Sequence, residues 1–152
     1  MRQNSEFQPL LTCIVPLYNT EKYIEQCMRS RYDQDIQVSD IEVIVIDDGS
    51  TDNTIEIIEN EFSFTKLITF SKNKGVVKAR NEGMRKAKGA YYCFVDSDNI
   101  VDKNFLIELI KVMESDKNIG FAGPKMYYLK DPKRIIFAGA TINLLTSRTK
   151  YI

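Results

Sequence analysis

The chain has 152 residues, which fits one domain that buries about 70% of the surface its unfolded form would expose. Hydrophobic residues make up 43% of the chain and charged residues 28%, a composition that excludes a disordered or fibrous protein. Because 21 basic residues balance 21 acidic ones, no net charge favours nucleic acid or anionic lipid as a partner. We therefore expect a soluble globular domain that does not bind nucleic acid.

The absence of histidine excludes serine–histidine and cysteine–histidine catalytic pairs and histidine-containing zinc sites. Each of the three cysteines, Cys13, Cys27 and Cys93, lies in an apolar stretch and is expected in the core of a protein from a reducing compartment. Without a secretory signal or an apolar run of roughly 20 residues, the expected location is cytoplasmic. A peripheral contact with the inner face of the membrane is also compatible with the sequence.

Strands and helices are predicted to alternate along the first two thirds of the chain. Short apolar runs predict strands at residues 10–17, 41–46, 67–70 and 91–95. Each strand is followed by helical periodicity, with predicted caps at Thr20, at Ser50 or Thr51, and at Asp102. This alternation predicts an open, mostly parallel α/β sheet with helices on both faces.

The pattern changes after Gly120 to short strand-like pieces at residues 121–128, 135–137 and 141–144, with Asp131-Pro132 expected as a turn. We expect one domain throughout, with residues from about 10 to 119 forming a donor-binding part and residues from about 120 to 152 beginning an acceptor-side region. The last residues, SRTKYI, look like a boundary within a longer fold.

Polar features follow three of the four predicted strands: Tyr18-Asn19, Asp47-Asp48 and Asp96-Ser97-Asp98. The carboxyl ends of parallel strands share one edge, so these side chains are expected to converge on one cleft. Two carboxylates spaced i,i+2 can share a hard divalent cation that also grips a diphosphate. Charge is also segregated, with eight acidic residues and no basic one between residues 40 and 61, and seven basic residues and one acidic one between 72 and 88.

Each of these features has an ordinary structural explanation when taken alone. Asp96 and Asp98 could simply form a turn and cap a helix, and the second residue of Asp47-Asp48 could be a solvated neighbour. Tyr18 could pack over the sheet, and the two charge runs could be solvated helix faces. The combination of the features is more specific than any one of them.

Four motifs in order, VPLYN, DDGSTDNT, NKGVVKARNEG and FVDSDN, resemble those of the inverting family-2 glycosyltransferases of GT-A fold over residues 11–109. The resemblance implies a Rossmann-like GT-A domain whose C-terminal part continues beyond this chain. It implies a UDP- or dTDP-sugar donor, a saccharide or lipid-linked acceptor, and a role in cell-wall or polysaccharide biosynthesis. A hexosyl- or rhamnosyltransferase is implied, since the region after Gly120 looks like that of relatives that transfer rhamnose.

The resemblance also implies roles for individual residues in binding the nucleotide-sugar and in binding Mg²⁺ or Mn²⁺. Pro16 and Ser97 belong to the donor-binding motifs. Tyr18 would stack near the base, Asp48 would hydrogen-bond the base, and Asp47 would lie close by. Asp96 would contact the ribose or assist at the metal, and Asp98 would bind the metal. Arg80, and less clearly Lys78, would lie near the diphosphate, with a helix-surface salt bridge as the alternative for Arg80.

The general base of an inverting transferase has no clear match in this sequence. None of Glu108, Glu114 and Asp131 is assigned that role, so we expect the base beyond Ile152. A nucleotide-sugar-binding module without turnover is therefore the alternative function. A dinucleotide-binding dehydrogenase is disfavoured because Pro16-Leu17-Tyr18-Asn19 stands where G-x-G-x-x-G is needed, and the P-loop motif is absent. A sugar-1-phosphate nucleotidyltransferase is also disfavoured, because it would need a Gly-rich basic loop at the same turn and this sequence has none there.

Overall fold

The structure is a computed structural model that describes residues 9–143, 146 and 148–151. The chain divides into two compact units, Met1–Lys103 and Asn104–Ile152. The first unit contains, in order, β1 (Leu11–Leu17), α1 (Ile24–Tyr32), β2 (Ile41–Asp47), α2 (Thr54–Glu61), β3 (Lys66–Thr69), α3 (Val76–Lys86) and β4 (Tyr91–Phe94). The second contains α4 (Phe105–Ser115), β5 (Met126–Tyr128), β6 (Asp131–Phe137), β7 (Ala140–Asn143) and β8 (Arg148–Tyr151).

The first unit is built on a four-stranded parallel sheet with the order β3-β2-β1-β4. All seven residues of β1 are buried, which explains why this central strand is a nearly unbroken apolar run. The chain adds β2 and β3 on one side of β1 and then crosses to the other side for β4. The predicted parallel α/β sheet is confirmed, and the carboxyl end of β1 lies where the order of the strands reverses.

Helix α3 packs against the sheet through residues without bulky side chains. Ala79 is fully buried in a cluster with Ile14, Ile44 and Ile46. A Cβ added at Gly83 would lie 2.4 Å from Ile14 Cγ2, so glycine lets the helix approach the strands closely. Burial of each isoleucine side chain is worth about 1.5–3 kcal/mol, so this interface contributes substantially to the stability of the unit.

The cysteines are buried and free, as expected. Cys13 and Cys93 are register partners on adjacent strands β1 and β4. A hydrogen bond with Cys13, together with burial, raises the pKa of the Cys93 thiol. Burial also raises the pKa of the Cys27 thiol. The thiols of Cys27 and Cys93 are therefore protonated at neutral pH and are poor nucleophiles.

Several predicted helix starts are wrong by two or three residues, and the observed N-cap residues make no side-chain capping hydrogen bond. Helix α1 has Tyr23 at its N-cap position instead of Thr20, whose carbonyl oxygen accepts hydrogen bonds from the N–H groups of Tyr23 and Ile24. Helix α2 is preceded by Asn53 rather than by Ser50 or Thr51. Helix α4 has Asn104 rather than Asp102 at its N-cap position.

The second unit contains α4 and two antiparallel hairpins, β5–β6 and β7–β8. Asp131 and Pro132 were predicted to form a turn, but they begin β6, and the turn lies at residues 129–130. Proline is tolerated at this position because it stands near the start of a strand that pairs on one side only. Strand β7 begins at Ala140, one residue before the predicted strand at 141–144, and Leu144 lies outside the described residues. Strand β8 was not predicted.

Candidate functional site

A cleft opens at the carboxyl end of β1, where β4 separates from it. The pairing of these strands ends at Ile14 and Phe94, followed by one more hydrogen bond from Val95 N–H to the Ile14 carbonyl. The cleft has a volume of about 470 Å³. Its lining residues come from the end of β1, from the segments that follow the four strands, and from the start of α3: Pro16, Leu17, Tyr18, Asn19, Thr20, Tyr23, Asp48, Asn73, Gly75, Val76, Ala79, Asp96, Ser97 and Asp98.

The two acidic residues at the end of β2 have different surroundings. Asp47 is fully buried, and its carboxylate accepts hydrogen bonds from the N–H groups of Gly49 and Ser50. Asp48 lines the cleft, and its carboxylate accepts hydrogen bonds from the N–H groups of Lys74 at 2.7 Å and Gly75 at 2.8 Å. Asp47 therefore shapes the turn, whereas Asp48 fixes the loop before α3 at the wall of the cleft.

The loop fixed by Asp48 passes very close to the turn after β2. Gly49 has a φ of +80°, and a Cβ at this position would lie 2.7 Å from the carbonyl carbon of Lys72. Only glycine meets both requirements without strain. The same loop leads into α3, so the positive end of the dipole of this helix borders the cleft at Gly75 and Val76.

The segment after β4 presents two carboxylates at the cleft. Asp96 to Asn99 form a turn closed by a hydrogen bond of 3.1 Å from Asn99 N–H to the Asp96 carbonyl oxygen. The Asp96 carboxylate forms an ion pair of 2.6 Å with Arg80. Asp98 is exposed, and its carboxylate makes no hydrogen bond or ion pair within the part of the chain that the structure describes. Ser97 between them is buried.

Two tyrosine side chains and an asparagine form the wall after β1. Tyr18 is 45% exposed and Tyr23 is 48% exposed, so neither ring is packed into the protein core. Asn19 has a φ of +52°, and its side-chain oxygen accepts a hydrogen bond of 2.8 Å from Thr51 N–H. Asn19 thereby links the turn after β1 to the turn after β2 and leaves the tyrosines at the cleft surface.

The two basic candidates on α3 differ in position. Arg80 is linked to the cleft through its ion pair with Asp96, and its Nε is buried without a hydrogen-bond partner among the described residues. The Arg80 side chain as a whole is 38% exposed, so the exposed part of its guanidinium group is accessible to an anion. Lys78 is exposed and does not line the cleft. Six of the predicted residues line the cleft: Pro16, Tyr18, Asp48, Asp96, Ser97 and Asp98. Arg80 is connected to them through its ion pair with Asp96, whereas Asp47 and Lys78 do not line the cleft.

Sequence reasoning missed two cleft residues with clear local positions. Tyr23 has the i,i+4 spacing to Cys27 that is typical of one helix face, but it precedes α1 and lines the cleft. Asn19 was noticed in the turn but not counted as a site residue. The tolerance of asparagine for positive φ was a signal that could have identified Asn19 as the residue that organises this turn.

The donor atoms at the cleft suit a hard divalent cation that retains other ligands. Asp96 and Asp98 supply carboxylate oxygens, the ligand type that Mg²⁺ and Mn²⁺ prefer. Within the described ranges, no group of three His, Cys, Asp or Glu side chains could hold a metal ion by itself. These residues therefore fit a cation that completes its coordination with water and with oxygens of a bound phosphate.

Comparison with known proteins identifies the family. The profile of glycosyl transferase family 2 matches residues 12–150, and the chain belongs to this family. The chain is 42% identical over 108 residues to an uncharacterised glycosyltransferase of Haemophilus influenzae, a match that covers 69% of this chain and 42% of that protein. The chain thus spans less than half of the length of that relative.

Solved structures confirm the GT-A-like fold. Staphylococcus aureus TarS in complex with UDP-GlcNAc has a TM-score of 0.64 and 29% identity, over 80% of this chain and 41% of that chain. A mannosyltransferase from Pyrobaculum calidifontis in complex with GDP-Man and Mn²⁺ has a TM-score of 0.69 and 27% identity, over 76% of this chain and 35% of that chain.

In the described part of this chain, no helix is long and apolar enough to cross a membrane.

Proposed function

We propose that the cleft binds a nucleoside-diphosphate sugar together with Mg²⁺ or Mn²⁺, and that it is the donor site for sugar transfer with inversion. One observation carries the proposal: Tyr18, Asp48 and the two carboxylates after β4 come from separate strand ends and line a single cleft. Family membership supports the reaction class. The ligands named in the two related complexes support the class of donor.

The base of the nucleotide would occupy the side of the cleft formed by Tyr18, Tyr23 and Asp48. The exposed rings offer flat apolar faces on which a base can stack. The carboxylate of Asp48 already accepts two backbone hydrogen bonds, but two carboxylate oxygens offer about four lone-pair sites. Asp48 can therefore accept a further hydrogen bond from a base N–H while it holds the loop.

The diphosphate would lie between the start of α3 and the turn after β4. Asp98 and Asp96 would hold the metal ion, which when bound would offset the negative charge that develops on the departing nucleoside diphosphate. Arg80 would contact a phosphate oxygen through the exposed part of its guanidinium group, since its side chain is 38% exposed. We do not propose ligand contacts for Asp47 or Lys78, since one is committed to the turn and the other lies away from the cleft.

The donor sugar, the acceptor and the cellular setting are further parts of the proposal. TarS is a β-N-acetylglucosaminyltransferase and the Pyrobaculum protein a mannosyltransferase, which favours a hexose-type sugar over rhamnose. We propose a saccharide or lipid-linked acceptor, as in cell-wall or polysaccharide synthesis, with residues from about 120 onwards leading to its site. Three free cysteines support a cytoplasmic location, with any membrane contact peripheral.

Calorimetry with UDP and dTDP tests the donor site. We expect saturable binding that Mg²⁺ or Mn²⁺ strengthens relative to EDTA. Asp98→Ala should remove the strengthening by metal, because Asp98 is exposed and uncommitted. Asp48→Ala should weaken binding even in EDTA. Equal affinity with and without metal in a folded sample would refute the role of the cation.

A further inference from the structure

Arg31 is an unusual residue of the first unit, because its charged side chain is buried without a charged partner. It lies on α1 and is only 2% exposed. Within the described residues it forms no ion pair with a carboxylate, and its Nε has no hydrogen-bond partner. Burial of a charge is costly unless the charge is paired, so stability alone does not account for arginine at this position.

The guanidinium group of Arg31 is directed at the turn that follows β4. Its Nη2 donates a hydrogen bond of 3.0 Å to the carbonyl oxygen of Asp96, and its Nη1 donates to Cys27 Sγ. The Cys27 thiol lies 3.6 Å from the same carbonyl oxygen as a second donor. The N–H of Asn99 donates to this oxygen as well and closes the turn. Three donors thus converge on one backbone atom.

This backbone atom lies where the turn has lost the support of the sheet. Strand β4 pairs with β1 only as far as Phe94, and the last hydrogen bond between the two segments comes from Val95 N–H. Beyond Val95, the carbonyl of Asp96 is bound by α1 through Arg31 rather than by a neighbouring strand. Arg31 therefore holds the turn that carries the Asp96 and Asp98 carboxylates at the cleft.

We propose that Arg31 is a positioning residue that fixes the turn at Asp96–Asp98 for binding of the divalent cation. The inference rests on the proposed function of the two carboxylates. A residue that supports metal ligands from behind typically changes metal affinity about 10- to 100-fold when it is removed. It acts without touching the metal or the nucleotide, since Arg31 does not line the cleft.

Arg31→Met should separate the effect of Arg31 on stability from its effect on metal binding. Because Arg31 is buried without a carboxylate partner among the described residues, removing its charge relieves a desolvation cost. Arg31→Met keeps the length of the side chain and removes the guanidinium donors. We expect the melting temperature of this variant to be unchanged or higher, while the turn loses its anchor on α1.

Titration with Mn²⁺ in the presence of saturating UDP, with free Mn²⁺ followed by electron paramagnetic resonance, tests the inference on the 152-residue chain. We expect Mn²⁺ to bind about tenfold or more weakly to Arg31→Met than to the wild type. Affinity for UDP in EDTA should stay within about twofold, because base recognition uses Tyr18 and Asp48. Arg31→Lys, which keeps the charge and one donor group, should recover part of the loss.

Arg29→Met is a matched control from the same helix. Arg29 is exposed and pairs with Glu25 and Glu61, so its replacement should leave Mn²⁺ affinity unchanged. Wild-type affinity for Mn²⁺ in Arg31→Met, failure of that variant to fold, or an equal loss of UDP binding in EDTA would each overturn the positioning role. A wild-type chain that binds UDP but no Mn²⁺ would instead refute the proposed metal site itself.

Discussion

Replacement of Asp48 by alanine should destabilise the first unit far more than replacement of Asp98. Asp48 is 3% exposed, and its carboxylate accepts hydrogen bonds from the N–H groups of Lys74 and Gly75. Hydrogen bonds to a charged group are worth about 1.5–3 kcal/mol each, and water that enters the vacated space would recover part of this. We therefore expect Asp48→Ala to lower the free energy of unfolding by about 2–4 kcal/mol.

Thermal unfolding followed by circular dichroism measures this effect. A change of 1 kcal/mol shifts the melting temperature of a chain of this size by about 2–4 °C, so Asp48→Ala should melt about 5–15 °C lower than the wild type. Asp48→Asn keeps one acceptor oxygen and should lose roughly half as much. The control is Asp98→Ala, whose exposed carboxylate has no recorded partner among the described residues and whose loss should change stability by less than about 0.5 kcal/mol.

Equal melting temperatures for Asp48→Ala and the wild type would refute this reasoning. They would show that the loop at residues 73–75 does not depend on the carboxylate. The weaker nucleotide binding that we expect of Asp48→Ala in EDTA could then be assigned to direct contact with the base alone. A large loss of stability in Asp98→Ala would be equally contrary, because it would give Asp98 a structural role.

Three other predictions concern packing, charge and reactivity. Gly83→Ala should destabilise the fold by about 1–3 kcal/mol in urea unfolding, since its Cβ would meet Ile14, whereas Gly120→Ala, with open space around it, should be neutral. Arg80→Gln should lower the free energy of unfolding by less than about 1 kcal/mol, because the ion pair with Asp96 is exposed. Calorimetry should nevertheless show weaker UDP binding by this variant. Unchanged UDP binding would show that Arg80 forms only a surface salt bridge. Mass spectrometry should find the buried cysteines unalkylated by iodoacetamide at pH 7 until the chain unfolds, and rapid labelling of the native chain would contradict their burial.

The sheet could be predicted from the sequence because each of its strands is a short apolar run that ends at a polar turn. The predicted bounds of β1 and β2 differ from the observed ones by a single residue at one end. The helix starts were less predictable, because the start of α1 depends on backbone hydrogen bonds to the Thr20 carbonyl rather than on a capping side chain. Local signals of the kind used for N-caps do not record such contacts.

The candidate site was predictable as a set of strand ends but not in its contacts. Asp47 and Asp48 are adjacent in sequence, but their carboxylates accept hydrogen bonds from different segments. Asp47 binds the N–H of Gly49 in the turn after β2, and Asp48 binds the N–H of Lys74 in the loop before α3. Only the structure shows this difference. Arg31 stands on a helix, where a charged residue is normally expected at the surface. Its burial depends on the Asp96 carbonyl, 65 residues away in sequence, which no local pattern reveals.

Paramagnetic broadening by Mn²⁺ tests most directly whether the strand-end carboxylates hold a metal ion beside a nucleotide. Amide spectra of the ¹⁵N-labelled chain would be compared with Mn²⁺ and UDP, and with Mg²⁺ and UDP as the diamagnetic reference. The account predicts the strongest broadening at residues 96–99, weaker broadening at Tyr18 and Asn19, and loss of both in Asp98→Ala. Broadening centred on another surface, or none at all in a sample that binds UDP, would contradict it.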